Sequence, residues 1–74
     1  MTVEEIREEL GRLDLSQSAL ARETGVSRQE VSRWFLGRRA PSARNRQRMV
    51  AALERLGAYV EEAAAQERFR SLRG

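Results

Sequence analysis

The 74-residue sequence contains no cysteine, no histidine and no lysine. The first two absences exclude disulfide bonds, zinc sites that need a Cys or His ligand, and the commonest general base of enzymes. No apolar run approaches the roughly 20 residues of a membrane-spanning helix. Helix packing must therefore stabilise this small domain. We expect no cofactor, no metal, no membrane contact and no small-molecule substrate.

Strand signals and chain breakers are also scarce. The chain has one proline and five glycines, few β-branched residues, and no sustained alternation of apolar and polar residues. This pattern favours helices throughout, so we predict an all-α fold, a compact bundle of four to five short helices. The acidic start of the chain does not resemble a signal peptide, which favours a cytoplasmic protein, nucleoid-associated if bacterial.

Capping residues locate the first two predicted helices. The first begins after Thr2, which is expected to form a capping box with Glu5. The second runs from Ser16 to about Thr24, and Gly25 follows at a position that often needs a positive φ. The apolar residues expected in the core recur three or four positions apart along all the helices: Val3, Ile6, Leu10, Leu13, Leu15, Leu20, Ala21, Val31, Trp34, Phe35, Met49, Val50, Leu53 and Leu56.

The later helices are predicted in the same way. Ser27 caps a third helix in a second capping box with Glu30, and Ser42 caps a fourth. That fourth helix either ends at Gly57, with a fifth helix over residues 58–72, or continues through it, because a glycine inside a helix costs about 1 kcal/mol. We expect a break.

Positive charge is concentrated in one stretch of the chain. Residues 1–27 hold three arginines against six acids, and residues 49–74 hold four of each. Residues 28–48 hold seven arginines against Glu30 alone. A basic block beside an acidic segment is typical of a surface that binds a polyanion, and the planar guanidinium of arginine grips phosphates and guanine edges with two hydrogen bonds.

The tight turn at Gly25 joins two short helices within this region. Ala21 is small enough for the helices to cross closely, and Val26, Val31 and Trp34 offer apolar faces that wedge the second helix in place. The outward face of that second helix is left to side chains that can hydrogen-bond base edges in the major groove of DNA: Arg28, Gln29, Ser32 and Arg33.

Over about residues 15–56, the sequence resembles the helix-turn-helix repressors of the phage-repressor type (Cro/cI, Xre). The matching residues are Leu15-Ser16-Gln17, Leu20-Ala21, Gly25-Val26-Ser27-Arg28, Val31-Ser32-Arg33-Trp34, Gly37, Pro41-Ser42 and Leu53. The resemblance implies a transcriptional repressor that binds double-stranded DNA sequence-specifically through a recognition helix at about 27–36. It divides the chain into a DNA-binding domain, 1–57, and a C-terminal helix, 58–74, that packs on the core or forms a homodimer.

The resemblance also implies particular contacts. Base contacts are expected from Arg28, Gln29, Ser32 and Arg33, and phosphate contacts from Gln17, Ser27, Arg38, Arg39, Arg44 and Asn45. Many members have a glutamate at the position of Phe35, where it pairs with an arginine of the first helix; here we expect Phe35 to be buried instead. Arg46, Arg48 and Arg55 are expected to be solvated.

Other interpretations stay open at this point. The run from Trp34 to Arg39 is similar to a homeodomain signature, although Gly37 replaces the asparagine that those proteins use on adenine, and a POU-specific-like domain would have much the same chemistry. An alternative function is a protein-interaction module, an antitoxin or regulatory subunit, that uses its C-terminal helix on a partner. An enzyme is not expected, because no histidine, cysteine or pocketed pair of acids is available.

Overall fold

The computed structural model describes the backbone of residues 1–73 and the side chains of residues 1–72. Four α-helices and no strand are found in that range: α1, Val3–Arg12; α2, Gln17–Thr24; α3, Arg28–Phe35; and α4, Ala43–Arg73. The predicted all-α fold is therefore confirmed.

The N-caps predicted at Thr2, Ser27 and Ser42 are formed, and Ser16, predicted as the start of the second helix, is its N-cap. At α1, the hydroxyl of Thr2 accepts a hydrogen bond from the Glu5 backbone N–H (3.1 Å), and the Glu5 carboxylate accepts one from the Thr2 backbone N–H (3.0 Å). The hydrogen bond from the Thr2 backbone N–H, together with one from the Thr2 side chain, lowers the pKa of the Glu5 carboxyl. Serine hydroxyls cap the other three helices by accepting a hydrogen bond from the backbone N–H three residues on: Ser16, Ser27 and Ser42.

The second capping box is only half formed, so that part of the prediction is wrong. The Ser27 hydroxyl accepts a hydrogen bond from the Glu30 backbone N–H (3.2 Å). The Glu30 carboxylate does not return to the cap, because it accepts a hydrogen bond from the guanidinium of Arg33 instead (3.3 Å). A charged donor forms a stronger bond with a carboxylate than a neutral backbone N–H does.

The core lies where the four helices meet. Its largest fully buried side chains come one from each helix: Ile6, Leu20, Val31 and Met49. Burying side chains of this size contributes about 1.5–3 kcal/mol each, so every helix is tied to the same core. Ala52, which the sequence analysis did not place in the core, is also fully buried, at a point where α4 packs closely against its neighbours.

The expected break at Gly57 is wrong, because α4 continues through it as one 31-residue helix. The side of Gly57 is occupied by Leu13, whose Cδ1 would lie 3.6 Å from a Cβ at this position. That is an ordinary van der Waals distance. Because α4 is continuous at this position, Gly57 is neither a turn nor a cap. The long helix gives the molecule its greatest extent of 49 Å.

The last part of α4 extends away from the core. Side chains 61–72 are all exposed. Tyr59 and Phe69 are each 59% exposed and Leu72 is 87% exposed. The expectation that this segment covers the core is therefore wrong for residues 61–72, and the division of the chain near residue 57 stays a prediction.

The turn between α2 and α3 depends on the left-handed backbone of Gly25 (φ 83°). The backbone N–H groups of Gly25 and Val26 both donate to the carbonyl of Ala21, at 2.9 and 3.1 Å, which closes the end of α2. A Cβ at position 25 would also lie only 3.2 Å from Nη2 of Arg48. Position 25 therefore favours glycine, chiefly because of its positive φ.

We predict that Gly25→Ala lowers the free energy of unfolding by about 1–2 kcal/mol, because an L-residue is strained at positive φ. The matched control is Gly11→Ala, at a helical position with open space around the added methyl group. That change should raise the free energy of unfolding by up to about 1 kcal/mol. Urea unfolding followed by helix content measures both, and equal effects at the two glycines would contradict the assignment of the turn.

Candidate nucleic-acid interface

The third helix has two chemically distinct faces. Val31, Trp34 and Phe35 recur at the i, i+3, i+4 spacing of one helix face, and all three are buried in the core. On the other side, Gln29 and Arg33 are exposed and lie four residues apart, so their side chains are neighbours. The core therefore fixes which side chains α3 presents to solvent.

One shallow concave surface collects all four predicted base-contacting residues. Its lining consists of Arg28, Gln29, Ser32, Arg33, Leu36 and Arg38. Leu36 was not predicted here; it is 65% exposed and ends α3 as its C-cap. The sequence signal that could have identified Leu36 as part of this surface is its position between Arg33 and Arg38, which both line it. An exposed apolar side chain on such a surface is suited to the methyl group of thymine.

The predicted phosphate-contacting residues are more widely spread. Arg39 and Asn45 line a second concavity beside α3, together with Ser42, while Arg38 lies in the first. The other three lie outside both surfaces: Gln17 at the first position of α2, Ser27 at the cap of α3, and Arg44 in the first turn of α4. The six residues come from four segments: α2, the N-cap of α3, the loop after α3, and α4. Only Arg39 and Asn45 line one concavity together.

Glu30 bridges the two concave surfaces. Its Oε1 lies 3.3 Å from Nη1 of Arg33 and 3.7 Å from Nη1 of Arg39. Both arginine side chains stay more than half exposed, at 54% and 67%. Exposed ion pairs of this kind are weak, so either guanidinium can leave the carboxylate for a stronger anion. Arg28 makes no ion pair with the part of the chain that the structure describes.

Arg46, Arg48 and Arg55 are exposed, as expected, but Arg48 and Arg55 also make contacts that the sequence analysis did not predict. Nη2 of Arg48 donates to the backbone carbonyl of Thr24 (3.0 Å). Arg55 donates twice to Glu23, through Nε to the carboxylate (2.7 Å) and through Nη2 to the backbone carbonyl (3.1 Å). Both cations therefore bind the C-terminal end of α2, where the helix dipole favours positive charge.

Phe35, at the position where many members of the family have a glutamate, is buried as expected. Arg7 of α1 donates a hydrogen bond to the backbone carbonyl of Phe35 instead (3.2 Å). The link between α1 and the end of α3 is thus kept, with a backbone oxygen in place of a carboxylate. On the outer side of α1, Arg12 pairs with Glu9, and its hydrogen bond lowers the pKa of the Glu9 carboxyl.

Comparison with protein families decides the class of this fold. Residues 3–56, more than two thirds of the chain, match the family described as Helix-turn-helix, of the Cro/cI type. The chain belongs to this helix-turn-helix family. It is a DNA-binding family of transcription regulators that is not typically enzymatic. The predicted helix-turn-helix, formed by α2, Gly25 and α3, is therefore confirmed.

Two other comparisons add no further name. No curated protein and no solved structure matches the chain significantly. Among residues 1–73, no helix is long and apolar enough to cross a membrane. The family match ends at residue 56, within α4, so residues 57–74 lie outside the part of the chain that the helix-turn-helix family describes.

We predict that Arg48→Ala lowers the free energy of unfolding by about 1 kcal/mol, because the Thr24 carbonyl loses a charged hydrogen-bond donor at the helix-turn-helix junction. Arg46→Ala is the matched control: it removes the same charge from the same turn of α4, at an exposed position. Urea unfolding of both variants distinguishes them. Equal stability of the two variants would show that the Arg48 contact has no structural role.

Proposed function

We propose that this helix-turn-helix protein is a transcriptional repressor that binds double-stranded DNA sequence-specifically, with α3 in the major groove. The observation that supports this most is that four side chains suited to base recognition lie together on one concave surface of α3. A repressor of this kind acts by occupying its site on DNA. Its place of action would be the cytoplasm, on the nucleoid if the source is bacterial.

The proposed base contacts follow from side-chain chemistry. Arg28 and Arg33 can each donate two hydrogen bonds to O6 and N7 of guanine, and Gln29 can form a bidentate pair with adenine. Ser32 lies between them on the same surface and suits either base. Each good bidentate contact contributes about 1–3 kcal/mol of discrimination against the wrong base, so two or three are enough for useful specificity.

The proposed phosphate contacts flank this reading surface. They are Gln17, Ser27, Arg38, Arg39, Arg44 and Asn45. Only the three arginines release counterions from DNA, because the other side chains are uncharged. Three cationic contacts per chain correspond to a slope of about −3 in a plot of log affinity against log salt concentration. A slope near zero would contradict the phosphate contacts.

Selection of binding sites from random duplexes tests the function, and two arginine variants test the division of roles. We predict that Arg33→Ala lowers the affinity for the selected site about 10-fold or more but weakens random duplexes little, because it removes a base contact. Arg39→Ala should weaken both duplexes by a similar factor and make the salt slope shallower by about 1. Titrations at several salt concentrations measure both effects. A uniform loss from both variants would contradict the role of Arg33.

We also propose that the protein is a homodimer on DNA, formed through the exposed end of α4. Four apolar residues recur every seven positions on the surface of this helix: Ala51, Ala58, Ala65 and Leu72. A seven-residue spacing is close to two helical turns, so these residues lie along one side. Small residues on such a stripe allow a second helix to approach closely.

The charges near this stripe favour a second copy in antiparallel orientation. If Ala65 faces Ala65 of the other copy, residues equally far before and after it also face each other. Glu62 then lies opposite Arg68 of the second copy, and Ala58 lies opposite its Leu72. The segment has two acids shortly before Ala65, Glu61 and Glu62, and the arginines Arg68 and Arg70 after it, where Glu67 pairs with Arg70 of its own helix. Antiparallel pairing therefore brings mostly opposite charges together.

We predict that Ala65→Glu raises the dimer dissociation constant about tenfold or more, because two carboxylates would face each other at the centre of the interface. Ala63→Glu is the matched control, with the same change two residues earlier and about 160° around the helix, and should leave the dimer nearly intact. Sedimentation equilibrium measures both. If the parent protein stays monomeric even when it is bound to its DNA site, the dimer is refuted and DNA reading by α3 still stands.

A further inference from the structure

Residues 28–48 contain seven arginines and a single acid, Glu30. A carboxylate near a DNA-binding surface repels phosphates and so opposes the binding of any duplex. Its position is also central, since it lies in the first turn of α3 between the two concave surfaces. Glu30 thus lies at the centre of the candidate interface although its charge opposes the binding of any duplex. A role of Glu30 that compensates for this repulsion would explain its position.

The contacts of Glu30 indicate what that role is. One carboxylate oxygen, Oε1, faces Nη1 of Arg33 and Nη1 of Arg39. The first is a proposed base contact and the second a proposed phosphate contact. The Arg33 contact is a hydrogen bond between side chains three residues apart on the same helix, so α3 itself keeps the two groups within reach of each other.

Holding a guanidinium by one edge reduces its freedom without blocking it. Arginine is a fork of five N–H donors, and Glu30 engages only Nη1 of Arg33, which leaves the other nitrogens available for a base. An arginine that is already oriented loses less side-chain entropy when it binds guanine. The same carboxylate partly neutralises Arg39 and therefore weakens its attraction to phosphates of any sequence.

We propose that Glu30 is a specificity-determining positioning residue, which orients Arg33 for base reading and weakens sequence-independent binding through Arg39. The proposal rests on the proposed function of α3. Orienting Arg33 raises the ratio of specific to random-duplex affinity, whereas the effect on Arg39 lowers both affinities by a similar factor and leaves the ratio unchanged. It contacts no base itself in this scheme and acts through the two arginines.

The test compares wild-type protein with Glu30→Gln on two duplexes, the site selected from a random library and a scrambled duplex of the same composition. Glutamine keeps the side-chain length and removes the charge. We expect the affinity for the scrambled duplex to rise about two- to fivefold, the range that exposed ion pairs typically contribute. Affinity for the selected site should rise less or fall, so the specificity ratio decreases.

Two controls separate this role from general effects of charge. Glu9→Gln removes the same charge from another Glu–Arg pair with i,i+3 spacing, on α1, and should leave the ratio unchanged. In an Arg33→Ala background, Glu30→Gln should no longer impair reading of the selected site and should change the ratio much less, because the orienting effect needs Arg33. Thermal unfolding of each variant checks that the fold is retained.

The outcomes distinguish this inference from the proposed function. If wild-type protein binds the selected site specifically and Glu30→Gln leaves the ratio unchanged, the inference is wrong and the function stands. The inference is also wrong if Glu9→Gln lowers the ratio equally, or if the effect of Glu30→Gln is the same without Arg33. If wild-type protein binds every duplex alike, or none, sequence-specific reading fails and the role of Glu30 fails with it.

Discussion

The interface depends on the burial of one face of α3 in the shared core. Val31 is fully buried and Trp34 and Phe35 nearly so, which fixes the rotation of this eight-residue helix about its axis. A helix this short is marginal on its own in water, so its structure comes from packing rather than propensity. If that face turned outward, the arginines and the glutamine on the opposite face would lose their common direction.

The second constraint is the junction between α2 and α3, and it is held from a third helix. Arg48 and Arg55 of α4 bind the carbonyls of Thr24 and Glu23 at the end of α2, next to Gly25. Carbonyls at a helix C-terminus lack partners within the helix, and a cation satisfies them and suits the dipole. Arg48 belongs to the basic block of residues 28–48, which therefore has two uses: Arg28, Arg33 and Arg38 line the α3 surface, and Arg48 stabilises the fold.

Local signals in the sequence predicted the fold well. Serine caps, the Gly25 turn and the spacing of Val31, Trp34 and Phe35 depend on residues three or four apart, which a sequence displays directly. The roles of Arg48 and Arg55 could not be predicted in this way, since their partners lie 24 and 32 positions away. The grouping of the candidate base contacts was predictable from helix geometry, whereas the Glu30–Arg39 contact depends on the path of an irregular loop.

The two halves of α4 differ in what stabilises them, and this bears on whether its end needs a partner. The first half is anchored by buried residues such as Met49, Ala52 and Leu53. The second half is exposed, yet it starts from an existing helix, so it avoids the cost of nucleation, and alanines at 63–65 favour its continuation. Helicity beyond residue 60 is thus no evidence for a bound partner. The case for a second copy depends instead on the stripe of Ala58, Ala65 and Leu72 and the antiparallel match of charges, neither of which the helix requires for its own stability.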